Sequence, residues 1–113
     1  MTLYCLKAQY TPAAIEGMVK SGNNREEEVR KAIESVGGKL NGFYGIFGDP
    51  DGFHIMVIAE MPGNAQYLAT VVAAMMSGAV ANVRTNVLYT AEEAAEAASI
   101  VNSSSVNYKS PTE

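Results

Sequence analysis

From Leu3 to Tyr10 the chain places Tyr4, Leu6, Ala8 and Tyr10 on one side and Leu3, Cys5, Lys7 and Gln9 on the other, the two-residue period of a strand. Thr11-Pro12 then supplies a capping hydroxyl and a proline at the first helical position, predicting a short helix to about Lys20. Ser21-Gly22-Asn23-Asn24 interrupts it, because these residues favour turns and caps over helix interiors. Asn24 with Glu27 resembles a capping box, and Glu26, Glu27 and Glu28 set negative charge on the positive end of the helix dipole. Val29, Ile33 and Val36 form the apolar stripe of this second helix, and Gly37-Gly38 stops it.

Lys39 to Phe47 returns to strand composition, bent by Gly42 and Gly45, and Asp49-Pro50-Asp51-Gly52 has the residues of a tight turn. Phe53 to Met61 is apolar on both faces, as expected of a central strand covered on both sides. After Pro62-Gly63-Asn64, a helix over Ala65 to Ser77 is expected to carry Leu68, Val71, Val72, Met75 and Met76 on one face. Val80 to Tyr89 reads as the fourth strand, with Arg84 and Asn86 opposite Val83, Thr85 and Val87. Thr90-Ala91-Glu92-Glu93 is a capping box opening an alanine-rich helix to about Asn102, ended by Ser103-Ser104-Ser105. The order is strand, helix, strand, strand, helix, strand and an extra helix: an α+β, ferredoxin-like βαββαβ domain with a four-stranded antiparallel sheet over residues 1–102 and a tail over 103–113.

At 113 residues and 12.0 kDa, one domain is expected, exposing roughly 6,000 Å² when folded. A net charge of -4 argues against a nucleic-acid surface, which needs clustered cations. The lone Cys5 cannot make an internal disulfide, a cysteine-rich zinc site is excluded, and the compartment is expected to be reducing. The start has no secretory pattern and no apolar stretch approaches a bilayer span, so a cytoplasmic protein with no membrane or nucleic-acid partner is expected.

Asp49 and Asp51 near His54 suggest a metal only superficially, because a tight turn explains both aspartates. Cys5 reads as a small hydrophobe, the methionines as packing, and no phosphate loop or serine motif occurs. Neither metal nor cofactor is expected. What remains is a polar group in strand positions, Lys7, Gln9, His54, Arg84 and Asn86, which this topology turns to one side of the sheet. Cations gathered there repel one another and call for an anion, supplied by a ligand or by a carboxylate such as the partner subunit's Glu60. Helices cover only one face of such a sheet, so the other is expected to close against a second copy.

Several segments in order resemble the GYD-domain family: Tyr10-Thr11-Pro12, Gly37-Gly38-Lys39-Leu40, Phe43-Tyr44 through Phe47-Gly48, Ile58-Ala59-Glu60-Met61-Pro62, Ser77-Gly78, Asn82-Val83-Arg84-Thr85 and Leu88-Tyr89-Thr90-Ala91-Glu92-Glu93. Counted back from Pro62, the tripeptide that names the family falls on Gly52-Phe53-His54. Counted forward it falls at Gly48-Asp49-Pro50-Asp51, so about three residues look inserted. The resemblance implies a small bacterial protein related to dimeric α+β barrels, a group mostly without an assigned activity. Two functions follow as expectations. The first is a homo-oligomeric, anion-preferring small-molecule binding module using Lys7, Gln9, His54, Arg84 and Asn86. The alternative is a cofactor-free oxygenase or isomerase with His54 as general base.

Overall fold

A computed structural model describes residues 1–103 and 105–112 of the chain. Eight elements follow in order: β1 (Thr2–Tyr10), α1 (Pro12–Ser21), α2 (Arg25–Ser35), β2 (Lys39–Gly45), β3 (Ile55–Met61), α3 (Asn64–Met76), β4 (Val80–Leu88) and α4 (Ala91–Asn102). The four strands form one antiparallel sheet in the order β2-β3-β1-β4, the ferredoxin-like arrangement that the strand and helix periods predict. The end of α4 at Asn102 also matches, although Ser104 of the serine run lies outside the described residues.

Local chemistry explains the helix boundaries. The Thr11 hydroxyl accepts from the Ala14 amide at the start of α1, and the Asn24 side chain accepts from Glu26 at the start of α2. At the end of α2 the Gly37 and Gly38 amides donate to the carbonyls of Glu34 and Ile33, which satisfies the last turn and sends the chain directly into β2. A side chain at Gly38 has no room. Its Cβ would lie 2.6 Å from the Met61 sulfur and 2.9 Å from the Glu60 carbonyl oxygen.

The core lies between the centre of the sheet and α2. Tyr4 and Ala8 of β1, Leu40 of β2, Ile55, Val57, Ala59 and Met61 of β3 and Ile33 of α2 are buried together. The strand alternation therefore carries over from sequence to structure, with the β3 odd positions inward and Met56, Ile58 and Glu60 on the open face.

Helix α3 departs from expectation. Leu68, Val72, Met75 and Met76, taken from the sequence as inward packing residues, are exposed, and Met76 is 82% accessible. The half-buried positions are Gln66, Tyr67, Thr70, Val71 and Ala74. The helix is turned so that its smaller inward stripe faces the sheet. Tyr67 fixes that rotation: its ring stacks on Tyr4 with centroids 4.1 Å apart, and its hydroxyl lies 2.6 Å from the Thr85 Oγ1. The Tyr4 hydroxyl in turn hydrogen-bonds the Asn64 side chain at the start of α3.

Helix α4 forms where the capping box places it, and every one of its residues is exposed. The molecule measures 60 × 31 × 23 Å with a radius of gyration of 17.9 Å, against about 13 Å for a compact domain of this length. Its accessible surface of 7698 Å² likewise exceeds the roughly 6,000 Å² expected for its mass.

Candidate functional site

Opposed residues of antiparallel strands share a face, so the register Lys7↔Arg84, Cys5↔Asn86 and Gln9↔Asn82 gathers Lys7, Gln9, Arg84 and Asn86 on the open side of the sheet. The connection between β2 and β3 folds over one end of that side. The Asp49 carboxylate accepts from the amides of Asp51 and Phe53 at 3.0 and 3.1 Å, and the Gly52 amide donates to the Asp49 carbonyl. The turn read from Asp-Pro-Asp-Gly is therefore present, with Gly52 in the left-handed region at φ +81°, where a glycine costs least. Hydrogen bonds from Phe53 foremost, helped by Asp51 and by the nearby Lys7 and Arg84 charges, hold the Asp49 carboxyl below its ordinary pKa against a smaller opposing effect of desolvation.

The same turn supplies counter-charges to the strand cations. Lys7 Nζ lies 4.0 Å from Asp49 and the Arg84 guanidinium 2.9 Å from Asp51. Arg84 also lies over the Phe53 ring, 4.9 Å from its centroid. Phe53 is buried apart from the main core, covered in this way by Arg84. His54 goes elsewhere. Its Nδ1 accepts from the Tyr10 amide at 2.9 Å and its ring stacks on Tyr10, a residue of the helix-facing side. The histidine thus pins the end of β1 through its Nδ1. Of the five residues singled out in the sequence, four share a face and two of these already hold carboxylates of their own chain.

A different site opens on the helix side. Between α2 and α3 lies a cleft of about 420 Å³ whose floor is the sheet, with Leu6, Ala8, Val57 and Val83 along it. The size falls in the roughly 300–1,000 Å³ of ordinary ligand pockets. It exists because the facing side chains are small: Ala32 and Ser35 on α2, Thr70 and Ala74 on α3, Ala59 and Ala79 in and beside the strands. Such residues cannot fill the space that two helices leave above a sheet.

On the wall of the cleft stand Tyr10 and Arg25. Burial pushes the Tyr10 phenol above its ordinary pKa, and the guanidinium of Arg25 beside it pulls the other way. Arg25 Nε is buried without a hydrogen-bond partner, and among the described residues no carboxylate pairs with Arg25, because Glu26 holds Arg30 and Glu28 holds Lys31. The sequence reading passed over Arg25 in favour of the glutamates that follow it. A signal was present: a cation in the first helical turn opposes the dipole, so some other contact has to favour it.

Comparisons with known proteins bear on the fold and the family. No curated protein matches the chain. Among solved structures, the C-terminal domain of the MgtC protein from Mycobacterium tuberculosis is similar, with 20% identity and a TM-score of 0.54 over 78% of this chain and 88% of that one, a likeness of fold. Among the described residues no helix is long and apolar enough to cross a membrane. The family model described as GYD domain matches residues 4–98, the segment that runs from the core tyrosine of β1 through β4 into α4, and the chain belongs to that family.

Proposed function

We propose that the protein is a homo-oligomeric binding module for a small molecule, with a preference for anions. The observation that carries this is the apolar cleft between α2 and α3, ligand-sized and lined by side chains too small to close it. Lys7 and Arg84 belong to a salt-bridged cap over the open face in this reading, and the anion preference belongs to the cleft. Self-association has its own support. The open face carries the half-buried Leu3, Cys5, Met56 and Ile58, opposite the face on which the core and α2 lie, while the outer face of α3 and the whole of α4 add exposed apolar surface.

The catalytic alternative finds less support. A general base needs a free lone pair within reach of the proton it takes, and that of His54 Nδ1 already accepts the Tyr10 amide.

Titration with 1-anilinonaphthalene-8-sulfonate, an apolar anion whose emission rises in dry surroundings, tests the reading. Saturable binding at one site per chain is expected, and Ala74→Phe, which puts a ring into the cleft, should abolish it. Weak, non-saturating binding that Ala74→Phe leaves unchanged would defeat the proposal.

A further inference from the structure

Resting on the cleft as a binding site, we propose that its ligand is a free amphipathic carboxylate, with the apolar tail along the sheet floor and the head group on Arg25. Three observations converge on this class. The floor and walls near Leu6, Val29 and Val57 are hydrocarbon, so they reward an apolar chain in proportion to the area it covers. The cation on the cleft wall is Arg25, whose guanidinium lies beside the Tyr10 hydroxyl. Arg25 Nε is buried and unbonded, and among the described residues Arg25 has no ion-pair partner. A buried donor left unpaired is costly, and a guanidinium offers its N–H groups in the planar fork that matches a carboxylate.

The alternatives fit less well. An apolar cation would meet Arg25. A neutral apolar ligand would leave Nε as it is. A polyanion would find a single guanidinium, with Glu28 also on the cleft wall, and like charge there disfavours a second negative group. A monocarboxylate satisfies one cation with one charge.

The test compares octanoate, octan-1-ol and octylammonium as ligands of the full chain, read by calorimetry and by the side-chain Nε–H resonance of Arg25 in ¹⁵N-edited spectra. Octanoate is expected to bind one per chain, about ten-fold or more tighter than octanol, as one charge-assisted contact allows. It should move the Arg25 Nε–H signal downfield, with octylammonium binding weakest. Arg25→Gln should bring octanoate down to the affinity of octanol, and Arg25→Lys should recover part of the difference. Should Arg25→Gln fail to fold, Ala74→Phe serves instead, and must abolish octanoate binding while the chain still melts cooperatively.

Equal affinity for octanoate and octanol, with no change at the Arg25 signal, would overturn the carboxylate assignment and leave the cleft as a binding site. Binding of none of the three would overturn both. Octanoate binding that survives Ala74→Phe and Arg25→Gln together would place it outside the cleft and overturn the assignment as well.

Discussion

Asp49 shows how one side chain sets the shape of a whole connection. One carboxylate oxygen receives two backbone amides while Lys7 lies near the other, and the carboxyl pKa is lowered in consequence. A depressed carboxyl contributes stability above its unfolded value and loses it as pH falls through the folded value. Acid melts should therefore show wild-type stability decreasing below about pH 4, with a component that Asp49→Asn lacks. At neutral pH Asp49→Asn should melt somewhat below wild type and converge with it in acid, since its amide oxygen can accept both amides but carries no charge. Asp49→Ala should melt lower at every pH, and thermal melts from pH 3 to 7 separate the three chains. Gly38 makes the opposite point, that an absent side chain can be structural. Gly38→Ala drives a methyl group into backbone as well as into Met61 and Ile33, and overpacking of this kind costs about 1–3 kcal/mol. Denaturant unfolding should give a lower midpoint with an unchanged slope.

At the scale of elements, what the sequence made legible was whatever local chemistry determines. Caps at Thr11, Asn24 and Thr90 and the alternation in β1 predict boundaries within a residue or two of those observed. Helix α3 was misread because apolar residues surround it almost entirely. Periodicity picks out the stripe of Leu68, Val71, Val72, Met75 and Met76, yet the stacking of Tyr67 on Tyr4 turns a neighbouring face inward and leaves most of that stripe exposed. The cleft was invisible for a related reason: it is a gap between elements, produced by alanines far apart in sequence. Helix α4 gives a prediction of its own. Its capping box is complete, the Thr90 side chain accepting from Glu93 and the Glu93 side chain from the Thr90 amide. Yet a helix of 12 residues without tertiary packing is marginal in water. Thr90→Ala removes about 1 kcal/mol of capping. If α4 docks on a second copy, the variant should dissociate at higher protein concentration. An unaltered dissociation constant, measured by analytical ultracentrifugation, would mean that α4 stays free in the assembly.

The whole molecule is too extended for its mass. A surface about 1,700 Å² above the compact expectation on each chain, about twice that for a pair, falls in the range that obligate homodimers bury. Light scattering at micromolar concentration is expected to give at least 24 kDa, twice the 12.0 kDa of one chain. Ile100→Asp with Val101→Asp, both exposed in the single chain, should lower that mass without lowering helix content. A mass of 12 kDa for the wild type would remove the oligomer, and with it the account of the uncovered apolar surface.

The strand order has a consequence in time. Strand β1 lies inside the sheet, bonded to β3 on one side and to β4 on the other, and its Leu3 faces Glu60 and Leu88. A ribosome releases β1 early, but its second neighbour emerges only after some eighty further residues, and until then Tyr4, Leu6 and Ala8 have half a sheet to join. The loop that closes between Leu3 and Leu88 must be formed before those contacts return any free energy. Refolding should accordingly be slow for a chain of this size, in the millisecond-to-second range of non-local topologies. The nascent chain, with one edge of β1 unpaired, is the stage at which this protein is most open to capture by a chaperone or by another copy of itself.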